Sequence, residues 1–458
     1  MTNLRGFIMM NARYPRFLAA MAVVGLIASA AAVAQSPRVS AETGGGDSVD
    51  ALCRAVYPAG WRALDGQHLA PVPPAPKPAK GAVFQDPVHR SCVLRVTDHT
   101  VEGPASARRF LRNDYSRRQA FNADSSRLIA IASDGHWHLY DATTLRYLRQ
   151  LPGLAGDAEP QWHATKPDLL YYVPNNGVGM KLFELDTRTG QERTVAAFSD
   201  RLRARWPQAH TAWTKSEGSP SADGRYWCFM VDDRNWKGVG LFTWDRDTDT
   251  ILGMRDLDGA RPDHVSMSPS GQSCVVSSTG SHGTVAYSRD FASSRKLHHT
   301  SEHSDLALNA RGEDVYVAID YQSSGGSVFM TNLATGERTD LFRTYLSGTA
   351  TALHISGKAY NKPGWVVIST YADHAARGNA GQQWLHRKIF AMSLEAKPRY
   401  LHLAHHHSEH AKYWSEPQAS VNRDFTRIVF NSNWDVKSEG DIDMYMVALP
   451  ANLLNAAR

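Results

Sequence analysis

The stretch Glu416–Trp434, EPQASVNRDFTRIVFNSNW, decides the fold of this chain. It begins with polar Glu416-Pro417-Gln418 and passes through the turn Asn422-Arg423-Asp424. It ends in the apolar run Ile428-Val429-Phe430, which polar Asn431-Ser432-Asn433 follows. Turn residues between two β-rich runs indicate a β-hairpin. Because the same plan recurs upstream, this hairpin is one unit of a repeat.

About six further copies lie upstream, each a turn followed by an apolar strand. Their turn segments are Phe121–Asp124, Trp162–Pro167, Ser219–Gly224, Ser266–Gly271, Leu306–Gly312 and Tyr360–Gly364. A third strand that ends near Asp or Thr-Gly often follows, as in Leu182–Asp186 before Thr189-Gly190. A spacing of roughly 40–60 residues between copies is typical of propellers and solenoids.

Short strands without a convincing long helix predict an all-β fold, a single seven-bladed β-propeller over residues 84–450. The alternative is an array of two-sheet β-sandwiches, which do not keep one period over such a length. We expect Cys92–Asp98 to be the outer strand of the last blade, whose inner strands come from Glu416–Leu449. This closure would leave no exposed sheet edge.

The N-terminus predicts export. Residues 1–34 have the pattern of a signal peptide: a basic lead with Arg5, Arg13 and Arg16, an apolar core Phe17–Val33, and the cleavage motif Ala32-Val33-Ala34. A membrane anchor is the alternative, but the apolar run is short for a span. Residues 35–83, with the Pro-rich stretch Pro71–Lys80, are predicted to be a flexible leader and linker. We expect a periplasmic or extracellular protein with no membrane span in the mature chain.

Composition and cysteines set further bounds. The 458 residues are 42% hydrophobic, and the net charge is +5 with no Lys/Arg-rich run, so a nucleic-acid partner has little support. Cys53 and Cys92 could form a disulfide in an oxidising compartment. Cys228 and Cys274 lie in apolar strands, and we expect them to be buried free thiols.

In a propeller, the first residues of the inner strands meet at one mouth of the central channel. Here these positions carry polar residues: Tyr115, Arg118, Glu159, His163, Glu217, Asp263, His264, His303, Asp305, His354, Glu416 and Gln418. His264, His303 and His354 occupy the same position in three successive blades. We expect them to converge, with Glu416 and Gln418, on a divalent metal such as Mn, Ca or Zn. The alternative is that these side chains only cap strand ends.

Loops between second and third strands reach the same mouth. They carry aromatic, amide and cationic residues that could bind a sugar acid: His138, Trp236, Lys237, Asn433 and Trp434, together with Glu217. The tract His405-His406-His407, with Glu409-His410, precedes the last blade. One of its histidines is expected to reach the site, with the others solvated.

The segments Glu159–His163 and Glu416-Pro417-Gln418, with the turns Ser221–Gly224 and Ser268–Gly271, resemble TolB-type propellers. They resemble more closely the oligogalacturonate lyases and ulvan lyases. The resemblance implies a secreted seven-bladed enzyme that cleaves uronate-containing polysaccharides by β-elimination. Oligogalacturonate lyases hold a divalent metal with histidines and a glutamine. Gln418 matches that glutamine, and Ala419, Ser420 and Val421 stand where histidines would follow.

β-Elimination needs a group that neutralises the uronate carboxylate, a base and an acid. The candidates are Arg234 or Lys237 for neutralisation, His303 or His264 as the base, and Tyr321 as the acid or as both acid and base. The alternative function is a non-catalytic periplasmic TolB-like propeller that binds a protein or glycan partner. Whether the chain is an enzyme stays open between the two.

Overall fold

A computed structural model describes residues 48–104, 109–257, 260–375, 382–410 and 412–454, without the side chains of 373–375. The predicted signal peptide, residues 1–34, lies outside the described residues. Everything described belongs to one unit, Gly46–Arg458.

One hydrogen bond defines the repeated turn. The side-chain oxygen of Asn422 accepts the backbone N–H of Arg427 at 2.9 Å, where the next strand begins. Asn122, Ser221, Ser268 and Asn309 accept the same kind of bond at 2.9–3.1 Å. Asn and Ser favour such turns because their short side chains bond to the backbone a few residues on.

The elements follow one another in chain order. Before the first full blade come α1 (Val49–Val56), β1 (Leu64–Asp65), β2 (Val83–Gln85) and β3 (Cys92–Arg95). The next are β4 (Phe110–Arg112), β5 (Arg127–Ala132), β6 (His136–Asp141), β7 (Tyr147–Ala155), β8 (Gln161–Trp162), β9 (Leu169–Tyr172), β10 (Lys181–Asp186), β11 (Glu192–Ala197), α2 (Ser199–Arg203), β12 (Thr211–Trp213), β13 (Tyr226–Asp232), β14 (Gly238–Asp245) and β15 (Thr250–Asp256). The chain continues with β16 (His264–Met267), β17 (Ser273–Ser277), β18 (Thr284–Ser288), β19 (Ser294–His298), β20 (Ser304–Leu308), β21 (Asp314–Asp320), β22 (Ser327–Asn332), β23 (Arg338–Arg343), β24 (Tyr345–Leu346), β25 (Thr349–Ser356), β26 (Trp365–Ala375), β27 (Lys388–Ser393), β28 (Tyr400–His405), β29 (Ser420–Val421), β30 (Arg427–Ser432) and β31 (Ile442–Ala448).

The strands pair as successive antiparallel meanders, which we call blades. Blade 1 is β4–β7, blade 2 is β8–β11, blade 3 is β12–β15, blade 4 is β16–β19 and blade 5 is β20–β23. Blade 6 is β25–β28, with β24 and β1 at its two edges, and blade 7 is β29–β31 with β3 and β2. The predicted all-β propeller is confirmed. Seven blades stay a prediction from the repeat, and the meanders of the described residues agree with that number.

Blade 7 closes the ring. β3 pairs antiparallel with β31, with Cys92 opposite Ala448, and β31 pairs with β30. The predicted outer strand from the N-terminal side is therefore confirmed, and β2 adds one strand beyond it. β31 also pairs in parallel with β4 of blade 1. Both chain ends of the propeller are thereby held in one sheet.

Residues 48–83, predicted to be flexible, pack along blades 6 and 7. Helix α1 buries Val49 and Cys53, and Cys53 is disulfide-bonded to Cys92 in β3. β1 pairs with β28, with Leu64 opposite His402. Further along, Trp434 Nε1 donates to the Ala75 carbonyl at 3.0 Å. The Pro-rich stretch is thus bonded to blade 7 through the Ala75 carbonyl.

Cys228 and Cys274 form the second disulfide, so the prediction of free thiols was wrong. Their separation of 46 residues equals about one repeat. The two residues therefore occupy β13 and β17, equivalent strands of neighbouring blades, with Cα atoms 5.6 Å apart. Around them, aromatic side chains such as Phe229 and Phe242, whose ring centroids are 5.1 Å apart, fill the space between blades. Neither helix in the described residues is long and apolar enough to cross a membrane.

Candidate active site at the channel mouth

Residues Asn113–Gln119, here called the channel segment, lie across the centre of the ring. Arg118 Nη1 donates to the Pro160 carbonyl of blade 2 at 3.1 Å, and Arg117 Nη2 to the Glu302 carbonyl before blade 5 at 3.2 Å. Gln119 Nε2 donates to the Val421 carbonyl of blade 7 at 3.1 Å. Because one short segment bonds to blades on different sides, its side chains fill the channel.

Arg117 forms the centre of a polar cluster. Its Nη1 lies 2.5 Å from Glu217 Oε2 and 2.6 Å from His264 Nε2, and its Nε donates to the Ser304 carbonyl. Guanidinium is a donor only, so His264 Nε2 accepts and its ring proton sits on Nδ1. Burial, with the charge of Arg117, lowers the pKa of His264 and keeps the ring neutral.

The Nδ1 proton of His264 faces two carboxylates. Glu217 Oε2 and Asp263 Oδ2 each lie 3.6 Å away. Lys215 Nζ binds Asp263 Oδ1 at 3.1 Å, and Ser301 Oγ donates to Asp263 Oδ2 at 3.0 Å. Burial acts to raise the pKa of Asp263, but His264 and Lys215 outweigh it and hold the pKa well below its usual range.

A second cluster of rings borders the first. The imidazoles of His303 and His354 are stacked with centroids 4.5 Å apart, and Tyr371 stacks on His354 at 4.9 Å. Tyr115 of the channel segment contacts His354 edge-on at 5.2 Å, while Arg117 lies 5.6 Å from the Tyr115 ring. Tyr115 therefore joins the two clusters into one site.

The protonation of His303 follows from its partners. Its Nδ1 lies 2.9 Å from the Leu353 carbonyl, an acceptor, so Nδ1 carries the proton. Tyr371 Oη, 3.3 Å from the same nitrogen, can only accept there and keeps its own proton for another group. Nε2 of His303 has a lone pair and no hydrogen-bond partner within the described ranges. Burial lowers the pKa of His303 to about 3, with the neighbouring His354 adding to the effect, and raises that of Tyr371 well above 10.0.

Glu416 anchors the ring cluster from blade 7. Its Oε2 lies 2.8 Å from His354 Nε2, and its Oε1 lies 3.6 Å from His410 Nε2. Burial alone would raise the pKa of Glu416, but the hydrogen bonds with His354 and His410 lower it to about 2. The site therefore holds an ionised carboxylate against two imidazoles.

No protein-family model and no curated protein matches the chain by sequence. Among solved structures, an oligogalacturonate lyase from Vibrio parahaemolyticus is similar over 81% of this chain and 99% of its own, at 14% identity and a TM-score of 0.57. An oligogalacturonate lyase in complex with manganese is similar over 82% and 100%, at 16% identity and a TM-score of 0.55. The fold is that of these lyase propellers. At such identities the likeness concerns the fold alone.

The propeller brings several of the predicted site residues together. His264, His303, His354, Glu217 and Glu416 all lie at the mouth, as described above. Tyr321 is also close: its ring lies 6.1 Å from His303, and its Oη accepts the Leu353 N–H at 3.3 Å. Burial raises the pKa of Tyr321 well above its usual range. Its contact with Leu353 makes it a support for His303.

The five predicted metal ligands do not form a metal-binding group. Within the described residues, groups of three ligand atoms within 4.8 Å of one another occur elsewhere in the molecule. His264 Nε2 already faces the guanidinium of Arg117, and Gln418 Oε1 accepts from Arg112 Nη1 at 3.1 Å. A metal ion at either atom would replace a cation that the protein itself supplies. In the part of the chain that the structure describes, the mouth therefore shows no group of three ligand atoms close enough together for a divalent metal.

Arg234, Trp236 and Lys237 lie in the β13–β14 loop and do not join the cluster. Arg234 and Lys237 are exposed, and Trp236 packs on Trp213 at 5.8 Å. Asp233 caps this loop through the backbone N–H of Lys237 at 2.9 Å. The guanidinium inside the cluster is that of Arg117, and not that of Arg234.

Three other predicted sugar contacts are buried structural residues. His138 lies inside β6, with Nδ1 3.2 Å from the Tyr147 hydroxyl. Asn433 bonds through both side-chain atoms to the backbone of Glu409, at 2.8 Å each. Trp434 is stacked on His407 at 4.5 Å. None of them offers an open face to a sugar, so these predictions were wrong.

The histidine tract divides between different places. His410 reaches the site, its ring 5.4 Å from that of Tyr371. His406 Nε2 bonds to the Thr370 carbonyl at 2.8 Å, and His405 contacts Asp86. All three histidines of the run 405–407 are buried. The prediction that one histidine reaches the site stands, but the others are not solvated.

Sequence reasoning missed Arg117 and Tyr371 as functional residues. Arg117 sits in an irregular segment that no period of the repeat describes. Its neighbours Tyr115 and Arg118 were assigned to the mouth, and the doublet Arg117-Arg118 next to them was the available signal. Tyr371 lies within β26, with Ala352 as its partner across the sheet.

We expect Glu416 to make the fold sensitive to acid. Its folded pKa of about 2 is below the ordinary glutamate pKa of 4.5, so its contribution to stability is present above pH 4.5 and is lost as the pH falls towards 2. The full contribution is about 3 kcal/mol. In urea unfolding, Glu416→Gln should be less stable than the parent at pH 6. The difference in the free energy of unfolding between the two proteins should disappear between pH 4.5 and 2. A difference that is constant over this range would contradict the assignment.

Proposed function

We propose that this chain is a carbohydrate-active enzyme that cleaves a uronate-containing glycan by β-elimination. The proposal rests on the hydrogen bonding around the ring of His303. Its Nδ1 is fixed by Leu353, its Nε2 lone pair is without a partner in the described part of the chain, and the Tyr371 hydroxyl is 3.3 Å from the ring. A neutral base beside a protonated phenol is the pair that the reaction needs.

Glu217 supports the choice of an acidic sugar. Its carboxylate rests between Arg117 and the Nδ1–H of His264, and its side chain is 27% exposed. A uronate carboxylate can take the same place when Glu217 swings outward. Arg117 would then neutralise the substrate carboxylate, which makes the adjacent carbon more acidic. The fold's likeness to oligogalacturonate lyases is in line with such a substrate.

In the proposed step, His303 and Tyr371 account for both proton transfers, and no further reactant is needed. His303 Nε2 takes the proton from the carbon next to the uronate carboxylate. The electron pair of that C–H bond forms a carbon–carbon double bond, and the glycosidic C–O bond at the next carbon breaks. Tyr371 gives its proton to the leaving oxygen. The raised pKa of Tyr371 keeps the hydroxyl protonated until that moment.

The proposal includes export. Both cysteine pairs are disulfide-bonded, and disulfides persist in the periplasm and outside the cell. Together with the predicted signal at residues 1–34, this supports a periplasmic or extracellular enzyme whose partner is an anionic polysaccharide or oligosaccharide.

The test is an assay across uronate polymers, with and without added divalent metal. β-Elimination leaves a conjugated, unsaturated product whose ultraviolet absorbance grows with time. We expect the ultraviolet absorbance to increase with at least one polymer. No absorbance with any polymer would overturn the proposal. Binding of a polymer or a protein without cleavage would then point to the non-catalytic propeller.

Glu217→Gln provides a sharper test of the carboxylate site. Removing the charge of Glu217 frees Arg117 for the substrate, so we expect KM to fall by about fivefold to tenfold, which corresponds to roughly 1–1.4 kcal/mol. kcat should change little. Glu192→Gln, on the outer strand β11, serves as the control and should leave KM unchanged. A higher KM in Glu217→Gln would mean that Glu217 itself binds substrate.

A further inference from the structure

We propose that Asp86, His89 and His405 form a buried binding site for a divalent transition metal of the zinc type. One ligand atom from each lies within 4.8 Å of the other two. Asp86 and His89 belong to the turn between β2 and β3, and His405 ends β28 of blade 6. The site lies apart from the channel mouth and does not depend on the proposed function.

His405 and Asp86 face each other through two hydrogen-bond acceptor atoms, Nδ1 of His405 and Oδ2 of Asp86. His405 Nε2 lies 3.2 Å from the Ala70 carbonyl, so this nitrogen carries the proton and Nδ1 has the lone pair. Nδ1 is 3.4 Å from Asp86 Oδ2, and both residues are fully buried. Two facing acceptors repel each other in a buried place unless a cation or a proton lies between them.

His89 supplies a third ligand. Its ring is 4% exposed, and neither ring nitrogen has a hydrogen-bond partner within the residues that the structure covers. A buried imidazole without partners costs free energy. The ring lies 4.6 Å from that of His405.

His402, also in β28, stands beside the three. Its Nε2 lies 2.6 Å from the Gly66 carbonyl, so the lone pair is on Nδ1, which is buried and has no partner among the described residues. Its ring stacks on that of His89 at 5.6 Å. The carbonyls of Gly66 and Ala70 orient the rings of His402 and His405, as outer partners of metal-binding histidines do. His402 is not one of the three residues whose ligand atoms lie within 4.8 Å of one another, so it borders the site and is not assigned as a ligand.

One cation already lies in the neighbourhood. Lys388 Nζ donates to the His68 carbonyl at 2.6 Å. Its charge acts on Asp86, the only carboxylate of the group. The backbone bond to His68 holds this ammonium on the leader, so it is not a ligand and leaves the Asp86–His405 edge to the metal.

The donor set selects the metal class. Two imidazoles and a carboxylate suit zinc and its neighbours, whereas calcium and magnesium require mainly oxygen ligands. Ligands at about 2.1 Å around a tetrahedral zinc lie about 3.4 Å apart. This matches the 3.4 Å between Asp86 Oδ2 and His405 Nδ1. The metal would link the β2–β3 turn to blade 6.

The test uses the mature chain, stripped with a chelator and then supplied with zinc or cobalt. We expect one equivalent of zinc by elemental analysis and the visible absorbance of tetrahedral cobalt. At zinc about 100-fold above its Kd, the Tm should rise by about 3–5 °C. Calcium should produce neither binding nor a shift. Absence of bound zinc, of the cobalt bands and of the shift in the parent protein would overturn the proposal.

Matched variants locate the site. His89→Gln should abolish the bound metal and the Tm shift, while the metal-free protein stays folded, because the ring of His89 makes no hydrogen bond in the described structure. His298→Gln is the control: His298 is equally buried, also has two unpartnered ring nitrogens, and belongs to another His/Asp group with His299 and Asp320. Loss of zinc in His298→Gln, or its retention in His89→Gln, would show that the metal binds elsewhere.

Discussion

Replacing His303 by Asn should lower kcat by about a thousandfold, within the 10²–10⁴ that a positioned general base contributes. The amide of Asn can still donate to the Leu353 carbonyl, as Nδ1 does now at 2.9 Å. It has no counterpart of Nε2, the atom that would take the proton. The variant should therefore fold normally and bind substrate with an unchanged KM, and the loss should appear in kcat.

The control for this variant is His299→Asn. His299 is an exposed histidine just before blade 5, and its nearest carboxylate is 4.0 Å away. It should keep full activity and stability. Should His303→Asn retain more than about a tenth of the parental kcat, His303 is not the base, and His264 and Tyr321 become the remaining candidates from the sequence analysis.

Replacing Lys358 by Met should destabilise the fold by about 3–5 kcal/mol. Lys358 Nζ lies 2.9 Å from Asp305 Oδ1, and the two side chains are only 2% and 3% exposed. Asp305 also accepts backbone N–H groups of Gly357 and Leu306, at 2.7 and 2.8 Å. Without the ammonium, a buried carboxylate between blades 5 and 6 has no counter-charge, which is far more costly than loss of the pair itself.

The double variant Asp305→Asn, Lys358→Met removes both charges and should recover most of the lost stability. An exposed ion pair provides the comparison. The side chains of Arg399 and Asp65 are 32% and 43% exposed, and Arg399→Met breaks their ion pair. This variant should lose less than about 1 kcal/mol of stability. Urea unfolding midpoints measure the stability of all three variants: Lys358→Met, the double variant and Arg399→Met. A double variant as unstable as Lys358→Met would show that packing, and not the unpaired charge, sets the cost.

The turn residues made the fold predictable. Asn422 and Ser221 accept hydrogen bonds from backbone N–H groups at equivalent positions of their blades. Such turns involve residues close together in the chain, so the sequence alone predicts them. The same periodicity placed His264, His303 and His354 at one mouth. Their partners were not predictable, because a contact such as His354 with Glu416 joins residues 62 positions apart.

The errors have two physical sources. His138 and Trp434 were assigned to open loops, but they are buried against Tyr147 and His407. Since side chains of a strand alternate between faces, a boundary shift of one residue reverses the assignment. Arg117 was missed for another reason: the channel segment has no repeat partner, so only the closed ring shows where it lies.

That segment changes how the blades depend on one another. In a repeat protein each unit contacts only its neighbours, and units can open one at a time. Here Arg118 bonds to blade 2, Arg117 to Glu302 before blade 5 and Gln119 to blade 7, so non-adjacent blades are held by one segment. Opening any one of these blades breaks its bond to the segment that also binds the others. Unfolding should accordingly be a single cooperative event for the whole ring.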